Sequence, residues 1–158
     1  MKLKVNPERF SFGATSSTIT SLGLVFGFLQ SSNPRAGIIG SLLLIAVSDN
    51  IADSLGFHIY RESASTDTGK ISIFTVSNFL TRFGITGLFV VFFAFLPLET
   101  AAVLCIVVGV GVLSFVSYVI GVNRKTNPVR EVFIHLGVVI PVILISHFLG
   151  QLIFSLFG

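Results

Sequence analysis

Five runs of mostly apolar residues, each long enough to cross the hydrocarbon of a bilayer, leave this chain few folds to choose from. They cover residues 13–30, 36–60, 79–98, 101–122 and 132–157, and a crossing helix needs about 20 such residues at a rise of about 1.5 Å each. Lipid offers backbone N–H and C=O groups no partners, so an isolated run of this length satisfies them only as a helix. Only 11% of the residues are charged and 53% are hydrophobic, with a mean hydropathy of +0.94. A soluble domain carries about a quarter charged residues, so lipid must be the solvent for most of this surface. The expected fold is all-α: one polytopic membrane domain over 1–158 with five transmembrane helices.

The breaks between the runs carry turn residues: Ser32-Asn33-Pro34, Pro97-Leu98-Glu99 and Asn127-Pro128. The polar stretch from Glu62 to Lys70 reads as the only real loop. Lys2, Lys4 and Arg9 precede the first run, Arg61, Lys70 and Arg82 flank that loop, and Arg124, Lys125 and Arg130 separate the fourth run from the fifth. Arg35 alone falls on the other side. Basic residues stay cytoplasmic, which predicts the amino terminus in and the carboxyl terminus out. The first run is too long and too rich in Ser and Thr for a cleavable signal core, so it is expected to be retained. The single cysteine, Cys105, has no disulfide partner. A net charge of +3 without a basic stripe speaks against a nucleic-acid partner.

One stretch breaks the apolar pattern. Ser48 to Glu62 reads S-D-N-I-A-D-S-L-G-F-H-I-Y-R-E, and residues four apart share a helix face, so Asp49 and Asp53 project together. Asp49 lies midway between Ala36 and Tyr60, and Asp53 about 6 Å nearer the cytoplasm. A charged Asp at the bilayer centre costs about 2.5–3.5 kcal/mol on insertion scales, so the pair must face protein or a wet cavity. With every basic residue assigned to a flank, a simple salt bridge is not expected and a visiting cation is. The competing view is a polar clamp onto Ser or Thr of a neighbouring helix.

Other residues could serve that pair. Asn50 and Ser54 adjoin it. Thr15, Ser16, Ser17, Thr18, Thr20 and Ser21 make the first run hydroxylic, able to line a path, and Gly23-Leu-Val-Phe-Gly27 is a small-residue face for close helix packing. His58 and Glu62 would form a cytoplasmic mouth, or simply a solvated helix end. His147, four residues before Gln151, is either a second ligand and proton carrier or a satisfied interior histidine. An enzyme is not expected: the two acids share one helix, and no Ser-His motif, phosphate-cradling loop or His-Glu zinc helix occurs.

Taken together, the segments Gly13–Gly27, S-N-P-R-A-G-I-I-G before the second run, S-D-N-I-A-D-S-L-G-F within it, and the later L-S-F-V-S-Y-V-I-G and H-F-L-G-Q-L-I resemble the vacuolar iron transporter family. That resemblance implies five spans in the same orientation and export of Fe²⁺ or other divalent metals in exchange for protons. It also implies a homodimer whose pathway lies between the first two helices of each subunit. The family's second-helix acid falls on Asp49 and its small-plus-Asp pair on Ala52 and Asp53. The chain departs from the family pattern in carrying Ser16 and Ser17 where a first-helix aspartate stands and Phe57 where a methionine stands. It also lacks the cytoplasmic metal-collecting insert.

The expectation is therefore a multi-pass transporter of an iron- or manganese-like divalent cation, with protons as counter-ions, no bound cofactor, and Asp49 and Asp53 as metal ligands. Asp and hydroxyl oxygens are hard ligands suited to Mn²⁺ or Mg²⁺, which leaves the ion open. The alternative is a non-transporting membrane scaffold of the same fold. Compactness suggests the cell membrane of a prokaryote.

Overall fold

The structure, a computed structural model, describes residues 7, 10–64 and 68–157. Its helices are α1 (Ser11–Phe28), α2 (Pro34–Leu44), α3 (Asn50–Ala64), α4 (Thr68–Phe95), α5 (Leu98–Arg124) and α6 (Pro128–Phe157), with no strand among the described residues. A single π-helical turn, Ile45–Asp49, joins α2 to α3 without a break. The two therefore form one rod of 31 residues, Pro34–Ala64, with Asp49 at its midpoint. Three of the links begin or end on proline. Pro34 and Pro128 open their helices where the missing N–H costs nothing, and Pro97 caps α5.

Four rods are long and apolar enough to cross a membrane: Pro34–Ala64, Ile71–Phe95, Leu98–Arg124 and Pro128–Phe157. The chain is thus a helical membrane protein. The first of the five expected spans is not among the four. Its helix α1 has 18 residues, and six hydroxyl side chains between Thr15 and Ser21 lower its hydropathy. They are tolerated because α1 is the centre of the bundle, packed against α2, α4, α5 and α6. Of its residues only Phe12 is exposed.

The expected loop from Glu62 to Lys70 is corrected. Helix α3 runs on to Ala64 and α4 already begins at Thr68, eleven residues before the predicted start of the third span. The early turns of α4 are hydroxylic, but Thr75 and Thr81 donate back to the carbonyls of Ile71 and Ser77, so neither hydroxyl needs water. Arg82 consequently lies deep within a membrane rod and not in its flank. Of the other basic residues used for orientation, Lys2, Lys4, Arg9 and the Lys70 side chain lie outside the described residues. Arg61, Arg124, Lys125 and Arg130 stand together at one end of the bundle, and Arg35 at the other. There Arg35 donates to the carbonyls of Phe93 and Leu96, closing the last turn of α4.

The bundle interior divides into two halves. Toward the Arg35 end it is apolar, with Leu22, Val25, Ile38, Leu42, Phe89 and Phe93 fully buried. Toward the other end the buried residues include Ser17, Asn50, Ser54, Asn78 and Arg82. The Gly23 and Gly27 face is used by α6 of the same chain: a Cβ added at Gly23 would lie 3.2 Å from Ser146 Oγ, and Gly150 of α6 meets the backbone of Gly27.

Helix α5 stops on Lys125, whose φ of 56° is the only positive value at a non-glycine residue among those described. The N–H of Thr126 then reaches the carbonyl of Gly121, and that of Lys125 reaches Val122. An L side chain in this conformation is strained. Lys125→Gly is expected to stabilise the protein by about 0.5–1 kcal/mol, read as a higher midpoint of thermal unfolding in detergent.

Candidate functional site

Three helices converge on the acidic pair. Positions Asp49, Asp53, Phe57 and Arg61 form one row along the second rod; Phe74, Asn78, Arg82 and Thr86 form the facing row on α4; Phe12, Gly13 and Ser16 come from α1. The π-helical turn ends on Asp49, and such turns break the regular i→i−4 ladder, often at functional positions.

Arg82 sits between the carboxylates. Its Nη2 donates to Asp49 Oδ2, and its Nη1 donates to Asp53 Oδ2 and to Ser16 Oγ. Ser16 in turn donates to Asp53 Oδ2 at 3.1 Å. The expectation that no basic residue reaches this depth is therefore wrong. By hydropathy Arg82 falls in a flank because the apolar run begins only at Phe79, whereas the helix begins eleven residues earlier. The acids are held by an ion pair in addition to the hydroxyl clamp.

The pairing is lopsided in charge and in exposure. Two carboxylates against one guanidinium leave one negative charge over. The Arg82 side chain is 3% exposed, while those of Asp49 and Asp53 are 40% and 34% exposed. The contacts to Arg82 and Ser16 run through Oδ2 of each acid, and both carboxylates remain partly open. The same seam holds buried polar atoms that make no hydrogen bond: Arg82 Nε and both ends of the Asn78 amide, with Asn78 1% exposed. Asn78 and Arg82 flank Gly13, where an added Cβ would lie 2.7 Å from Asn78 Oδ1 and 3.1 Å from Arg82 Cγ.

One turn beyond Asp53 the seam becomes aromatic. Phe57 stacks on Phe12, ring centroids 5.5 Å apart, and the Arg61 guanidinium lies over both Phe57 and Phe74 at 5.3 and 5.1 Å. Phe57 therefore helps close that side of the ionic layer. On the other side lies the apolar half of the bundle.

The structure thus brings together Asp49, Asp53 and Ser16, and separates the rest. Ser17 is turned into α1, donating to the carbonyl of Gly13 at 2.7 Å. Asn50 donates to the Phe79 carbonyl and accepts from Ser54, which ties the second rod to α4. His58 pairs with Thr75 Oγ1 at 3.2 Å, about a turn from the acids, and Glu62 is exposed. His147 pairs with Gln30 at 3.1 Å. Gln30 follows Ser16 by fourteen residues of mostly helical chain, or about 20 Å, so His147 takes the interior reading and is no ligand for the pair. No group of three or more His, Cys, Asp or Glu side chains able to hold a metal occurs among the described residues. Any ion held by Asp49 and Asp53 alone would keep water or other oxygens in its shell.

Sequence reasoning missed Arg82, Asn78 and Phe74. A signal was available: Phe74, Asn78, Arg82 and Thr86 recur every four residues, a helical row that begins ahead of the expected start of the third run at Phe79. No protein-family model, curated protein or solved structure matches the chain.

Proposed function

We propose that this membrane protein is a transporter of divalent cations, exchanging them for protons at Asp49 and Asp53. The observation that carries the proposal is the leftover negative charge midway along an apolar rod, on two carboxylates that stay 40% and 34% exposed beside a buried Arg82. A charge at that depth is costly unless a cation visits it. The order of layers also suits a carrier: an aromatic and Arg61 layer on one side of the acids, an apolar plug of Phe89 and Phe93 on the other. Orientation with the basic end inside follows from Arg61, Arg124, Lys125 and Arg130 standing opposite Arg35. The likeness of residues 48–57 to the second-helix signature of vacuolar iron transporters agrees with this reading. A homodimer would add its second copy along the exposed α2–α3 face, where Val47, Ile51 and Leu55 lie beside the acids. A prokaryotic cell membrane remains the proposed location.

The second reading is a non-transporting scaffold, favoured by one observation: Arg82 already ties α1, α3 and α4 together through the acids. Flux separates the two. Proteoliposomes with a divalent-sensitive dye inside and a pH gradient should take up Mn²⁺ or Fe²⁺, and Asp49→Asn or Asp53→Asn should cut the rate at least about tenfold. Each single variant leaves one carboxylate for Arg82, so both proteins should fold. Equal flux in wild type, variants and empty liposomes would point to the scaffold.

A further inference from the structure

We infer that Arg82 is a tethered cation that competes with the transported ion for Asp49 and Asp53, and that the Asn78 amide receives it when the ion binds. The inference rests on the transport reading above and adds the residue that sets affinity at that site.

The guanidinium occupies the space a cation would take, donating to one oxygen of each acid and to Ser16. It is nearly completely buried and cannot shed its proton, so it cannot relieve its own burial by neutralising. A divalent ion bound by the two partly exposed carboxylates turns the leftover negative charge into a net positive one, which repels Arg82 from the pair. The guanidinium then needs another acceptor within reach. Asn78 Oδ1 is such an acceptor: buried, without a hydrogen bond, one helical turn before Arg82 on the same face, and beside its stem at Gly13. The unpartnered Nε–H of Arg82 is the matching donor. A buried amide with both ends unsatisfied costs free energy in this state, and that cost is explained if the amide serves the other one.

Two stations on one arm give variants of opposite sign. When the binding-competent form is a minor one, apparent affinity falls by its fraction. Isothermal titration of Mn²⁺ into detergent-purified Arg82→Gln protein should show roughly tenfold tighter binding than wild type, because the competitor is gone. Free guanidinium at millimolar levels should weaken Mn²⁺ binding to Arg82→Gln and leave wild type unaffected. Asn78→Leu should weaken Mn²⁺ binding several-fold, by roughly the lost share of competent state, while raising the unfolding temperature because two unsatisfied polar atoms have gone. A residue that merely braces the helices would not move stability and affinity in opposite directions. Should Arg82→Gln fail to fold, Arg82→Lys keeps the charge but loses the two-pronged grip, and should bind Mn²⁺ more tightly than wild type by a smaller factor. Mn²⁺ affinity equal to or weaker than wild type in the Arg82 variant overturns the inference and leaves the transport reading standing. An absence of Mn²⁺ binding in wild type and every variant overturns the transport reading, and this inference with it.

Discussion

Asparagine at both Asp49 and Asp53 is expected to remove about 3–5 kcal/mol of stability, the cost of leaving one partner of a buried ion pair unpaired. The asymmetry of the pair decides the size. If Arg82 is removed, the carboxylates, each more than a third exposed, can take up protons or meet water. If both carboxylates become neutral amides, Arg82 remains charged and 3% exposed, with uncharged oxygens around it in place of the two counter-charges it has in the structure. Adding Arg82→Met to the double variant should return most of the loss, because replacing all partners of a buried ionic group with apolar ones is often neutral. Cys105 provides the readout. It is the only cysteine in the chain and fully buried, so a thiol-reactive dye labels it on unfolding. Equal unfolding temperatures for the double and triple variants would show that Arg82 does not need the acids.

Alanine at Gly150 is expected to cost about 3 kcal/mol, the upper end of the usual range for overpacking. Its Cβ would press on the carbonyl oxygen of Gly27, 2.9 Å from the carbonyl carbon and 3.1 Å from Cα. Backbone cannot rotate aside as a side chain can, so α1 and α6 must separate. In lipid, helices are held by close packing and not by expulsion of water, and separation loses those contacts outright. Gly23→Ala should cost less, since the atom it meets is the rotatable Ser146 hydroxyl at 3.2 Å, and Gly40→Ala should be neutral, since its Cβ meets nothing within 4 Å. The same dye assay ranks the three. A Gly150→Ala protein as stable as Gly40→Ala would contradict the α1–α6 contact.

The two predictions fall on different sides of what could be read without coordinates. The Gly23 and Gly27 face was legible as a helix-packing surface, but a small-residue motif does not say which helix approaches it; α6 of the same chain does. The common helix face of the acidic pair and its place along the rod were legible. The place follows from the length of an apolar run, and the common face from the helical repeat, both local properties of consecutive residues. Arg82 was not legible in the same way, because composition located a span by hydropathy while the helix continued through Ser and Thr that satisfy their hydroxyls on its own carbonyls. Hydropathy reports where lipid begins; it does not report where hydrogen bonding ends.

By itself, the order of residues determined that the chain is helical, that it lives in lipid, and that two carboxylates face the same way at mid-span. Each of these depends on near neighbours in the chain and on the solvent. Only the packing of α1, α3 and α4 decided what those carboxylates meet, because Asp53 and Arg82 lie 37 and 66 positions from Ser16 along the chain. Distances of that kind are set by how rods lean together, a matter of side-chain shape across three helices at once.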